Sequence, residues 1–211
     1  MGKVNMENKV LIKSSWDDGS SLDFRIAELL LKYNISGTFY IPTYCNRKGL
    51  SDNEIKELSD MGFEIGGHTV NHPEDIKLIK GEALDHEIVR NKEYLEDIIG
   101  KRIVSFCYPS GRYNEETIDA VKRAGYLGAR TTLVGSIDES KDPYKIKTSV
   151  HIYPNRAEYD GIPLLTYAKR KFDDAKLANG VFHMFGHSWE IEKFGLWKEL
   201  EELLIYIKEN L

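Results

Sequence analysis

The chain has 211 residues, 41% hydrophobic, 11% aromatic and 30% charged, which excludes a disordered polymer and fits one domain over residues 1–211 with a full apolar core. Its 29 basic and 34 acidic residues give a net charge of −5 without any Lys/Arg-rich block, so a nucleic-acid partner is not expected. No apolar run approaches the ~20 residues of a membrane helix, and the polar start from Met1 to Asn8 carries no secretion signal, so no membrane partner and a cytoplasmic location are expected.

Val10 to Trp16 reads as a first strand, ended by Asp17-Asp18-Gly19. A helix follows, with Leu22, Ile26, Leu29 and Leu30 at helical spacing behind Ser20 and Ser21 as capping candidates. Gly37 to Ile41 is the second strand, and Ser51 with Glu54 forms a capping box for a helix running to Met61. The third strand leads through a Gly66-Gly67 break into His68 and His72, where Pro73 stops the segment. A long amphipathic helix spans Gly81 to Ile99, with Gly100 as its stop, and Ile103 to Tyr108 is the fourth strand. Asn114 caps a helix through Ala124, and Tyr126 to Thr132 and Lys147 to Tyr153 are the fifth and sixth strands, joined by a polar loop. A helix between Ile162 and Ala178, a seventh strand from Gly180 to Gly186 and a closing helix from Trp197 to Ile207 complete the chain.

Such strand-helix alternation predicts a parallel sheet with helices outside, and about seven units predict a closed barrel. No G-x-G-x-x-G follows an early strand, which argues against a dinucleotide-binding open sheet. In a barrel of this kind, functional residues gather where strands end. Asp17, Asp18, His68, His72, the run from Tyr108 to Arg112, Arg130, His151, His183 and His187 all fall at or near such ends. Cys45 and Cys107 are too few for a thiolate site and are expected to be small buried hydrophobes.

Two histidines and one carboxylate make a three-ligand zinc site that leaves a position for water or substrate. A second carboxylate can then take a proton from water, and a further histidine can protonate a leaving group. Asp17 and Asp18 supply one carboxylate for each job, provided that Gly19 bends the chain, because alternation on a strand would point them to opposite faces. Adjacent carboxylates are poorly placed to flank a glycosidic bond, which needs a separation of about 5 to 9.5 Å. His183 and His187 are four apart, so alternation does not choose between them.

Ser15-Trp16-Asp17-Asp18-Gly19 resembles the T/S-F-D-D-G motif of the polysaccharide deacetylase family (carbohydrate esterase family 4), with Trp for Phe, and His68 to Pro73 resembles its H-S/T-x-x-H-P motif. The resemblance implies a distorted (β/α) barrel in which Asp18, His68 and His72 bind one divalent metal ion, with zinc expected, and Asp17 is the general base. Phe106 to Gly111 is similar to F-R-P-P-Y-G, with Cys107 at the arginine position and Ser110 at the tyrosine position. The family's oxyanion contact there is a main-chain N–H, which Ser110 can still provide. The motif L-x-x-H is best met by Met184 to His187, so His187 is the implied general acid and His183 a core histidine. D-x-x-D-W has no counterpart, since the tryptophans are Trp16, Trp189 and Trp197.

In the family the missing arginine orients the catalytic aspartate, and Arg130, near the end of the fifth strand, is the expected replacement through a two-point guanidinium contact to Asp17. The implied activity is removal of N-acetyl groups from an amino-sugar polysaccharide or oligosaccharide. A small non-sugar amide or ureide is the alternative substrate, and an inactive carbohydrate-binding barrel is the alternative from another class.

Overall fold

A computed structural model of the chain describes residues 10–44 and 49–211; Cys45 and the polar start of the chain lie outside them. The strands are β1 (Leu11–Asp17), β2 (Thr38–Ile41), β3 (Glu64–Gly67), β4 (Ser105–Cys107), β5 (Gly128–Arg130), β6 (Val150–His151) and β7 (Val181–Gly186). The helices are α1 (Asp23–Tyr33), α2 (Asp52–Asp60), α3 (Gly81–Ile99), α4 (Glu115–Arg123), α5 (Leu164–Ala178), α6 (Ser188–Phe194) and α7 (Trp197–Asn210). All strand pairs are parallel, in the order β5-β4-β3-β2-β1-β7-β6. With helices against its outer face, the curled sheet is a distorted (β/α) barrel of seven strands, as the alternation predicts.

The barrel closes without a strand pair between its edges. Segment 143–149 bridges them: Ala129 N–H donates to Pro143 O and Thr131 N–H to Ile146 O, both at 2.8 Å, and Ser149 N–H then donates to His183 O at 2.8 Å. The β5–β6 connection is the exception to strict alternation, since it contains no helix among the described residues. β4, β5 and β6 are shorter at both ends than their apolar runs suggest.

Strands buried on both faces read as continuous apolar runs. β7 is buried from Phe182 onward. Trp16, Phe39, Phe106 and Phe182 are fully buried, and Leu30, Ile88, Phe172 and Leu204 meet the core from the helices. Each contributes roughly 1.5–3 kcal/mol through burial.

The Ser51–Glu54 capping box forms, Asn114 accepts from Thr117 N–H, and Gly100 ends α3 in the left-handed region. Ser20 and Ser21 do not cap α1, which begins at Asp23; Ser20 Oγ instead accepts from Leu22 N–H at 3.2 Å, in the turn before the helix. Gly66 and Gly67 do not break β3 but belong to it. A Cβ on Gly66 would collide with the Tyr40 ring and one on Gly67 with the Tyr126 hydroxyl, so close packing demands both glycines.

Candidate active site

A cavity of about 580 Å³ opens at the carboxyl ends of the strands, and Asp17, Asp18, His68, His72, Ser110 and His187 all line it. Asp17 is the last residue of β1, and the chain turns immediately: Asp18 has φ 78° and Gly19 φ 59°. The bend that brings both carboxylates to one cavity therefore starts at Asp18, one residue earlier than the glycine suggests. Thr69 (φ 70°), His72 (φ 47°) and Ser110 (φ 53°) share this left-handed geometry, whereas Asn34, Asp160 and Asn179, the other non-glycine residues with positive φ among those described, are helix C-caps. Backbone strain outside caps is thus confined to the cavity, as at a functional site.

The loop after β3 is held by α3. Asn91, fully buried, accepts from His68 N–H at 2.8 Å and donates to Ile41 O at 3.0 Å, while Glu87 accepts from Asn71 N–H at 2.9 Å. His72 N–H donates to Thr69 Oγ1 at 3.0 Å. His68 Nδ1 lies 2.8 Å from Cys107 O, and a carbonyl only accepts, so Nδ1 carries a proton and Nε2 is the nitrogen that faces Asp18. Asp18 Oδ1 is 3.6 Å from His68 Nε2 and 3.4 Å from His72 Nε2. Donors about 2.0–2.1 Å from a tetrahedral ion stand roughly 3.3 Å apart, so this buried O/N/N set fits a zinc-type divalent ion. Trp189 Nε1 donates to Asp18 Oδ2 at 2.9 Å.

Arg130 is wholly buried, and its Nη2 contacts both carboxylate oxygens of Asp17. One nitrogen spans the two oxygens, rather than the two-pronged fork expected, because Nη1 donates to Thr131 O at 3.1 Å. The guanidinium carbon also lies 4.6 Å from the Phe185 ring centre. Burial opposes the charge on Asp17, but Arg130, His68 and His187 outweigh it and hold the carboxyl below the usual carboxylate range. Cys107 is buried where the sequence comparison places an arginine, with Sγ 3.7 Å from Asp17 Oδ2.

His187 follows β7 and faces the acidic pair, with Nε2 3.8 Å from Asp17 Oδ2. His183 sits deeper, with Nε2 3.0 Å from Ser15 Oγ, outside the cavity lining; burial pushes its pKa down to about 3. Its position in the core follows from strand geometry: it lies inside β7, whereas His187 lies beyond it. His187 Nδ1 is 2.6 Å from Glu190 Oε2, which also accepts from His151 Nε2 at 3.0 Å, and Arg156 Nη1 lies 3.1 Å from His151 Nδ1. Burial lowers the His187 pKa, but Glu190, Asp17 and Asp18 reverse this and raise it above the ordinary imidazole value.

Sequence reasoning missed Glu190, Trp189, Arg156, Asn91 and Glu87. The only local signal was the His187–Glu190 spacing of three, which puts both on one face of a helical turn once α6 is known.

A sequence model described as polysaccharide deacetylase matches residues 4–129, well over half of the chain. A peptidoglycan-N-acetylglucosamine deacetylase of Bacillus cereus is 28% identical over 121 residues, covering 56% of this chain and 55% of that protein. The chain spans about half the length of the curated relatives it matches. Among solved structures, Streptococcus pyogenes deacetylase PplD in complex with acetate superposes with a TM-score of 0.59 at 26% identity over 64% of this chain and 62% of that one. A CE4 family pseudoenzyme from Bacillus anthracis, at 16% identity and a TM-score of 0.67 over 97% of this chain and 62% of that one, shares the fold. The chain belongs to the polysaccharide deacetylase family.

Proposed function

We propose that this chain is a metal-dependent hydrolase that removes N-acetyl groups from an amino-sugar polymer or oligomer. The observation that carries the reading is the convergence of Asp18, His68 and His72 at ligand spacing beside Asp17, an ionised carboxylate held by a buried arginine. Asp18 Oδ1, His68 Nε2 and His72 Nε2 hold the divalent ion, zinc by donor type. Such an ion, when bound, polarises the amide carbonyl and lowers the pKa of water.

Asp17 is the general base. Arg130 fixes its carboxylate and keeps it charged, so it can accept a proton from the attacking water at neutral pH. His187 is the general acid. Its Nδ1 proton is committed to Glu190, the acidic groups around it favour a second proton on Nε2, and Nε2 faces the cavity, where it can protonate the departing amine. The main-chain N–H of Ser110, on the left-handed turn that also lines the cavity, is the donor for the developing oxyanion, a contact worth ~10² to 10³ in rate.

One observation favours a second substrate class on the same residues. A cavity of about 580 Å³ takes one compact ligand, so a small non-sugar amide or ureide also fits. An inactive carbohydrate-binding barrel is opposed by the Asp18, His68 and His72 donor set. Zinc-loaded protein assayed on N-acetylglucosamine oligomers, with small amides and ureides in parallel, tests the reading. Acetate release from the oligomers is the expected result; release from the small amides alone would replace the substrate class, and no hydrolysis of either would leave the binding role.

A further inference from the structure

α6 starts at Ser188, directly after His187, and its first three side chains reach three different places. Trp189 bonds Asp18 and Glu190 bonds His187 and His151, all at the cavity. Ser188 turns the other way. Its Oγ donates at 2.5 Å to Asp23 Oδ1, and both residues are fully buried outside the cavity lining. Asp23 is the first residue of α1, and its N–H donates to Ser20 O at 2.9 Å, inside the loop that also carries Asp17 and Asp18. The bond therefore joins the loop after β1 to the turn after β7, between residues 165 apart in sequence.

Burying a carboxyl and a hydroxyl costs desolvation that an apolar pair would not incur, so cohesion alone does not account for them. α6 does supply a reason for a directional contact. It has seven residues, too few to hold its own start in place, and His187 at its N-cap makes no capping hydrogen bond. Ser188 is thus the polar anchor of the first turn on the side away from the cavity, opposite the Trp189 and Glu190 contacts. Burial, opposed by Ser188 and reinforced by Asp18, pushes the Asp23 carboxyl up to about 8, so near neutral pH Ser188 donates to an uncharged acceptor.

We propose that Asp23 is a positioning residue which, through Ser188, sets the first turn of α6 and hence the approach of His187 to the leaving group. The proposal rests on the reading of His187 as general acid. Displacement of a reacting group by about 1 Å can cost ~10²-fold.

The test compares four variants of the zinc-loaded full chain on an N-acetylglucosamine oligomer and on 4-nitrophenyl acetate, whose leaving group needs no proton. Asp23→Leu and Ser188→Ala are expected to lower turnover of the amide by roughly 10- to 100-fold, to leave the ester within a few-fold of the parent, and to retain zinc. Asp23→Asn keeps an acceptor oxygen and should recover most of the amide activity. Equal losses on both substrates, parent-like amide turnover in Asp23→Leu and Ser188→Ala, or an Asn variant as poor as Leu would overturn the proposal. Should Asp23→Leu fail to fold, Ser188→Ala, which removes only the donor, carries the comparison. His187→Ala is the reference: without an amide-over-ester loss there, the general-acid reading itself fails, whereas a loss there but not in Asp23→Leu or Ser188→Ala overturns only the role of Asp23.

Discussion

The cavity has two walls of different construction. The wall from β1 to β3 carries Asp17, Asp18, His68 and His72 in two short contiguous motifs, each on a loop whose backbone is forced into left-handed turns. The wall from β5 to α6 carries Arg130, His151, His187 and Glu190, drawn from points up to 60 residues apart; Glu190 links the two histidines, and Arg130 reaches across to Asp17. The family match ends at residue 129, just before that second wall begins. On the proposed reading the first wall holds the ion, which needs fixed donors at fixed spacing, so its chemistry is written locally. A wall that orients and protonates can reach the same atoms from several elements, and its residues are free to move along the chain.

The largest expected effect breaks the first wall. His68→Ala or His72→Ala removes one of three donors, and both bound zinc and acetate release should fall to the detection limit; metal analysis of the purified variants checks this. A double variant that held zinc as the parent does would overturn the ligand assignment.

Asp17→Asn comes next. The amide is nearly isosteric but accepts no proton, so turnover should drop by ~10² to 10⁴ with zinc retained. On the second wall, Arg130→Met leaves a buried carboxylate without its cation, which should cost about 3–5 kcal/mol of stability and most of the turnover while zinc stays bound. Arg130→Lys should restore only part of both, since a point charge cannot span the carboxylate and hold Thr131 O as well. Denaturant unfolding beside turnover measures the two effects, and an Arg130→Met protein as active and stable as the parent would remove Arg130 from the site.

These walls were not equally legible. The alternation of strands and helices, the capping box at Ser51 and the stop at Gly100 could all be read from local pattern. So could the gathering of Asp17, Asp18, His68 and His72 at strand ends. The expectation that Arg130 approaches Asp17 came from a gap, the cysteine at position 107, and the contact is present in a different form, with one nitrogen across both oxygens. Glu190 and Trp189 were invisible because α6 is only seven residues long and gives no periodic signal of its own, and Asp23, on α1, was invisible because its partner Ser188 lies on that same short helix. The bonding of segment 143–149 to β5 was equally hidden: Ser136 to Pro143 read as loop and Lys147 onward as strand, and nothing local shows that Pro143 O and Ile146 O accept from Ala129 and Thr131.

A smaller effect sharpens the contrast between His187 on the second wall and His183 in the core behind it. His183 is buried neutral with a pKa of about 3, below its unfolded value near 6.5, so its contribution to stability is present above pH 6.5 and is lost as pH falls toward 3. His183→Gln should reduce the acid sensitivity of unfolding in that window by up to about 4 kcal/mol while leaving the ratio of amide to ester hydrolysis unchanged. A change in that ratio in His183→Gln, with none in His187→Ala, would exchange their roles.

On the proposed reading two adjacent carboxylates serve different functions, Asp18 the ion and Asp17 the proton. Zinc stoichiometry and acetate release, measured together on Asp17→Asn and Asp18→Asn, test it most directly. The account predicts that Asp17→Asn binds about one zinc per chain and turns over at least about 10²-fold more slowly, whereas Asp18→Asn loses the zinc along with the activity. Two variants that both keep their zinc, or that both lose it, would contradict the division.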